Sequence, residues 1–244
     1  MTHTSDPHAR RILILDFGSQ YTQLIARGIR ELNVYCEILP FDADISRIKS
    51  FKPAGVVLSG GPATVTEADT PRADREVFDL GCPILGICYG MQTMAAQLGG
   101  KVETSKQREY GSAEIRSTST SPLIDGLHDR LEADGTALLQ VWMSHGDRVS
   151  TLPDGFRVLA VSENAPMAAI ANLDRKFFGV QFHPEVTHTT QGRAMMGRFV
   201  RDICGCKGEW TPANIIEDLL SRIREEVGSD GVVLGLSGGV VLGN

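Results

Sequence analysis

The sequence predicts an α/β fold: a mostly parallel open sheet with helices on both faces, plus antiparallel additions. Three observations carry that expectation. Short, continuously apolar runs at Ile12–Leu15, Gly55–Leu58 and Ile84–Ile87 are the signature of strands buried on both faces, which belong to parallel sheets. Helical spacing of apolar residues separates them, as in Leu24, Ile25, Ile29 and Leu32. Beyond Gly100 the texture changes to shorter alternating segments that suit antiparallel strands.

In chain order, a polar leader over 1–10, expected to be mobile, precedes a strand ending at Asp16. A helix, a strand at Tyr35–Leu39 and a strand at Gly55–Ser59 follow, then a strand at Ile84–Ile87 that feeds a helix from Tyr89 or Gly90 to about Leu98. Ala113–Arg116, Leu138–Trp142 and Arg157–Val161 read as the antiparallel additions, and Phe177–Phe182 as the last strong strand. Thr190–Cys204 reads as a closing helix that buries Met195, Met196, Phe199, Val200 and Ile203. A new pattern starts at Trp210: a polar turn, an amphipathic helix over about Pro212–Val227 and a strand at Gly231–Leu236. The domain boundary is therefore placed near Glu209.

Composition narrows the class. With 42% hydrophobic and 22% charged residues in 244, a core forms without disulfides or metals. A net charge of −6 supplies no basic field for nucleic acid or an anionic membrane. No apolar run approaches the roughly 18 to 20 residues of a membrane span. Five cysteines at spacings that match no disulfide framework, and no apolar signal segment, point to a reducing, cytoplasmic setting. Cys36, Cys82 and the pair Cys204 and Cys206 read as structural, with no second Cys/His pair to complete a metal site. His128 and His188 read as surface or structural residues.

Gly86-Ile87-Cys88-Tyr89-Gly90 puts a cysteine between glycines where a buried strand turns into a helix. Such a nucleophile elbow holds the sulfur clear of its backbone, and the glycines let strand and helix approach. At the helix N-terminus, the macrodipole and free N–H groups favour thiolate over thiol. Phe182-His183-Pro184-Glu185 closes the last strong strand, and residues two apart on an extended segment share a face. His183 can then take the Cys88 proton while Glu185 orients the ring. Ser59-Gly60-Gly61-Pro62 follows another strand at the same sheet edge, so the Gly61 and Tyr89 amides are candidates for an oxyanion hole, each donor worth about 3 kcal/mol.

The three motifs resemble those of the class I glutamine amidotransferases, in the family's order and at its separations, over about Arg11 to Glu209. The resemblance implies glutamine hydrolysis through a thioester on Cys88, releasing glutamate and ammonia, with no cofactor. It also implies Gln92 and, in Ser144-His145-Gly146-Asp147, Ser144, Gly146 and Asp147 as substrate-binding residues. The segment 16–21, the surroundings of Cys88 and the segment 141–147 are similar to one nucleotide-aminating branch of the family, whose ammonia acceptor is a synthetase domain that uses ATP and Mg²⁺.

The tail fits that branch. Leu234–Val240 resembles the opening of an ATP pyrophosphatase domain, with Ser237, Gly238 and Gly239 as the remnant of a nucleotide-binding phosphate loop. An aspartate and a serine are expected after Val240, but Val241-Leu242-Gly243-Asn244 follows. The expectation is thus an amidotransferase domain over 11–209 and a truncated start of a pyrophosphatase domain over 210–244. Two alternatives stand beside it: a catalytically silent interaction module, and a glutaminase subunit for another acceptor, as in anthranilate synthase.

Overall fold

The computed structural model describes residues 9–67, 69–228 and 230–231, and its first strand shows how the apolar runs are used. In β1 (Ile12–Asp16), Ile12 and Ile14 enter one apolar layer while Leu13 and Leu15 enter another, and all four are fully buried. Each such side chain contributes about 1.5–3 kcal/mol of burial. α1 (Thr22–Glu31) covers the first layer with Ile25, Ala26 and Ile29. β2 (Cys36–Pro40) follows, then α2 (Ile45–Phe51), which Asp44 caps by accepting from the Ser46 N–H at 2.6 Å and which puts Ile48 and Phe51 in the second layer. β3 (Gly55–Leu58) and β4 (Ile84–Ile87) repeat the alternation, and α3 (Tyr89–Gln97) leaves directly from the end of β4.

The antiparallel half is larger than the short segments of the sequence suggest. β5 (Lys101–Ser117) and β7 (Ala137–Thr151) form a long ribbon, edged by β6 (Arg130–Leu131) and joined through β8 (Arg157–Val161) and β9 (Ala169–Asn172) to β10 (Phe177–Val180). One ten-stranded sheet results, in the order β2-β1-β3-β4-β10-β9-β8-β5-β7-β6. β2, β1, β3, β4 and β10 run parallel; every pairing beyond β10 is antiparallel.

Two details depart from the sequence reading. Leu24 is 39% exposed, because the buried face of α1 is set by Thr22, Ile25, Ala26 and Ile29. β10 stops at Val180, and Phe182 instead bridges to Met143 on β7. The closing helix is α4 (Gly192–Gly197), continued as a π-helix over Arg198–Ile203; Met195, Met196, Phe199 and Val200 are buried and Ile203 is half-buried against them.

Trp210 donates its N–H to the Asn33 carbonyl at 2.9 Å and lies 5.9 Å ring to ring from Tyr35. α5 (Pro212–Val227) then starts with Thr211 accepting from Asn214 N–H and Pro212 in the first turn. Its apolar stripe, Ile216, Leu219, Leu220 and Ile223, is exposed. The predicted strand at Gly231–Leu236 and the phosphate-loop residues Ser237, Gly238 and Gly239 lie outside the described residues, apart from Gly231 itself. So does the leader, apart from Ala9 and Arg10.

Candidate active site

In the strand order, β2 lies on one side of β1 and β3 on the other. Loops leaving the carboxyl ends of β1 and β3 therefore diverge, and a crevice opens where α/β sheets usually bind ligands. The segments after β1, β3, β4 and β10 all end there.

Cys88 occupies the single residue between β4 and α3, at φ 50° and ψ −109°. A non-glycine residue at positive φ stores about 1–3 kcal/mol of strain. The surrounding main chain holds it: the Cys88 N–H donates to the Val180 carbonyl at 2.8 Å and its carbonyl accepts from Gln92 N–H at 3.1 Å. The flanking glycines have a direct steric reason. A Cβ on Gly86 would lie 2.6 Å from the Met91 nitrogen, and one on Gly90 would overlap the Leu58 carbonyl.

His183 reaches the sulfur from the segment after β10. Its ring stands close enough to Cys88 for the sulfur to act on its titration, and its Nδ1 lies 2.7 Å from Glu185 Oε1. The His183 and Glu185 side chains are 5% and 1% exposed. Glu185 sits in a turn, not on an extended strand, so the pairing arises from chain reversal after Pro184 rather than from the two-residue strand period expected from sequence. The main chain of His183 is clamped on both sides. Its N–H donates to the Trp142 carbonyl at 2.9 Å, and its carbonyl accepts from Thr189 Oγ1 at 2.6 Å. Burial opposes the charged ring, but the hydrogen bonds and negative charge of Cys88 and Glu185 prevail and raise its pKa to about 10.

Gly61, Tyr89, Gln92, Ser144, Gly146 and Asp147 line, with Cys88, one cavity of about 470 Å³. Tyr89 is the first residue of α3, so its N–H has no intrahelical partner. Gly61 is pressed against the first-strand loop, where a Cβ would meet the Phe17 carbonyl oxygen at 2.7 Å. Asp16 Oδ1 shapes that loop by accepting from the Gly18 N–H and Thr22 Oγ1 at 2.9 and 2.7 Å, and Ser59 Oγ accepts from Phe17 N–H at 2.9 Å.

The polar groups on the far wall interlock. Asp147 accepts from Thr64 Oγ1 through its carboxylate and from Gln92 Nε2 through its main-chain carbonyl at 2.7 Å. Gln92 Nε2 also donates to Gln181 Oε1 at 3.2 Å, which leaves only its carbonyl oxygen for a ligand. The Ser144 carbonyl lies 3.4 Å from the Cys88 sulfur and accepts from the thiol. His145 ties the segment to β5, with Nδ1 3.1 Å from the Asp147 carbonyl and Nε2 3.2 Å from Glu109 Oε2; burial lowers its pKa despite the pull of Glu109.

Several participants were not singled out in the sequence. Gln181 Nε2 lies 3.7 Å from the Cys88 sulfur. Tyr21 sets its ring edge to face against His183 at 5.2 Å. A polar residue between Val180 and Phe182 in an apolar strand was the available signal for Gln181. Glu185 also borders a second cavity of about 640 Å³ with Tyr21, Trp142 and Met196, and His188 packs on Trp142 at 4.4 Å. A larger cavity of about 690 Å³ lies over β5, β7 and β8 and contains no cysteine or histidine. Among the described residues, no group of three or more His, Cys, Asp or Glu could hold a metal ion, and no helix is long and apolar enough to cross a membrane.

An α/β sheet with a cysteine elbow, a buried His–Glu pair and a glycine-rich loop at one edge agrees with the family model that matches residues 13–203, described as glutamine amidotransferase class-I; the chain belongs to that family. Among curated proteins it is 57% identical, over 237 residues, to the glutamine-hydrolysing GMP synthases of Escherichia fergusonii and Shigella flexneri. That match covers 97% of this chain but 45% of each relative, so the chain spans about half the length of the curated relatives it matches. Among solved structures, a GMP synthase subunit from Thermoplasma acidophilum superposes with a TM-score of 0.67 at 29% identity, covering 86% of this chain and 98% of that one. A glutamine amidotransferase from Thermotoga maritima, at 19% identity and a TM-score of 0.61 over 81% of this chain and 99% of that one, shares the fold.

Proposed function

We propose that this chain hydrolyses the side-chain amide of glutamine through a thioester on Cys88, and that the ammonia serves amination of xanthosine monophosphate to GMP in company with a synthetase domain. The observation that carries the chemistry is the buried His183–Glu185 pair set beside Cys88 at its strained turn between β4 and α3. The likeness to GMP synthases supports the acceptor.

His183 holds the proton that leaves the thiol, and the thiolate attacks the glutamine amide carbon. The carbonyl oxygen becomes an oxyanion facing the Gly61 and Tyr89 N–H groups, with Tyr89 favoured by its place at the start of α3. His183 returns the proton to the amine, ammonia departs, and a thioester remains. Water then attacks the thioester with His183 as base, and glutamate is released. Gln92 Oε1, Ser144, Gly146 and the Asp147 carboxylate are the groups assigned to hold the substrate's amino-acid end.

ATP and Mg²⁺ would serve the synthetase domain alone; the glutaminase chemistry needs neither. A silent interaction module is the competing reading, favoured by one contact: the thiol donating to the Ser144 carbonyl, which stabilises the unreactive form. Both can be told apart by glutaminase turnover with and without a separately supplied synthetase domain. The enzymatic reading expects turnover that is low alone, below tens per second, and rises on addition. Absence of turnover in both mixtures would leave the silent module.

A further inference from the structure

We propose that Gln181 is a further catalytic residue of this site: its side-chain amide donates a hydrogen bond to the Cys88 sulfur and stabilises the thiolate. The inference rests on the reading of Cys88 as the nucleophile and adds a group that the sequence motifs do not assign.

The orientation of this amide follows from a main-chain atom. The Asp147 carbonyl can only accept, so the group 2.7 Å from it is the Gln92 nitrogen. The second N–H of that nitrogen needs an acceptor, which places the Gln181 oxygen at 3.2 Å. The Gln181 nitrogen must then face the other way, and what stands there is the Cys88 sulfur, 3.7 Å away. Exchanging the two ends of Gln181 would set donor against donor at Gln92 and a carbonyl against the sulfur. The main chain is anchored as well, since the Gln181 N–H donates to the Ala168 carbonyl at 2.8 Å and the side chain is wholly buried.

The sulfur needs such a donor. Cys88 is 5% exposed, so charge that develops on the sulfur during the reaction is met by protein groups and not by bulk water. The Ser144 carbonyl at 3.4 Å accepts from S–H and offers nothing to a negative sulfur. His183 receives the proton, and the Gln181 amide gives the sulfur a donor of its own at 3.7 Å, separate from the imidazole. Among the described residues, the titratable groups around this sulfur are His183 beside it, Glu185 bonded to the far side of His183, and His145 on β7, on which the His183 ring disfavours charge.

Two variants of the full chain test the assignment. Gln181→Leu removes the donor at similar volume. Gln181→Glu keeps an oxygen to accept from Gln92, so it preserves the structural link while replacing the donor by an acceptor. The readout is the pH profile of Cys88 alkylation by iodoacetamide, followed by peptide mass so that the other buried cysteines do not interfere. We expect the alkylation midpoint to rise by about one pH unit in Gln181→Leu, a roughly tenfold slower reaction below the midpoint, and by more in Gln181→Glu. Should the leucine variant fail to fold, the glutamate variant carries the test. Folded variants with the wild-type profile would overturn the role of Gln181. Glutamate release that persists in Cys88→Ala would instead remove the nucleophile reading, so the two failures are distinguishable.

Discussion

His183 Nδ1 and Glu185 Oε1 are 2.7 Å apart in a pair almost wholly withdrawn from solvent, while the second oxygen of Glu185 is buried with no hydrogen-bond partner among the described residues. The carboxylate is thus committed to the ring, fixing which nitrogen faces the sulfur. Replacement Glu185→Gln keeps the shape but lets the amide present its nitrogen to Nδ1. Steady-state kinetics should show kcat lower by on the order of 10²-fold with little change in KM for glutamine. An unchanged kcat would remove Glu185 from the proposed mechanism.

The pH dependence of stability follows from the same ring. The ordinary histidine value is 6.5 and the folded value is raised to about 10, with burial opposed and outweighed by Cys88 and Glu185. A raised histidine contributes stability fully below about 6.5, and that contribution is lost as pH rises through about 10. Thermal unfolding midpoints should fall across that window. In Cys88→Ala the fall should be smaller, because the sulfur's share of the shift is gone. Identical slopes in the two proteins would contradict the assignment.

Two helical glycines should respond in opposite directions. Gly90 in α3 has the Leu58 carbonyl where a Cβ would go, whereas Gly28 in α1 has nothing within 4 Å of that position. Gly90→Ala should cost about 3 kcal/mol or more in urea unfolding, and Gly28→Ala should stabilise by roughly 0.5–1 kcal/mol. A neutral Gly90→Ala would mean that the elbow is looser than its contacts require.

At Gly61 the effect should appear in the chemistry. A Cβ there would press on the Phe17 carbonyl at 2.7 Å and push the loop, with its N–H, away from the cavity. Gly61→Ala should lower kcat by about 10²–10³-fold while the thiol still alkylates. Wild-type kcat would exclude the Gly61 amide as an oxyanion donor.

Much of the fold was legible because the inner parallel strands are covered on both sides, so their sequences are continuously apolar, as at Ile12–Leu15. The residues of the site were legible for a related reason: an elbow needs glycines where backbones touch, and Gly86 and Gly90 mark it in one dimension. The antiparallel segments 113–116, 138–142 and 157–161 were legible within β5, β7 and β8, but the length of the β5–β7 ribbon was not, because that pairing is non-local and Gly111, at φ 107°, breaks the alternation. α2 carried signals that went unused, with Asp44 as cap and Ile45, Ile48 and Phe51 at helical spacing. Gln181 showed in sequence only as a polar residue between Val180 and Phe182; its role did not, because its two partners, Gln92 and Cys88, are about ninety positions away. Only tertiary structure joins them.

The central claim is that Cys88 carries the glutamyl group. The direct measurement is to mix the full chain with isotopically labelled glutamine and a separately supplied synthetase domain, quench in acid and map the labelled peptide. The account predicts label on the peptide containing Cys88 and none in Cys88→Ala, which should also release no glutamate. Glutamate release without label at Cys88, or equal release from the alanine variant, would contradict it.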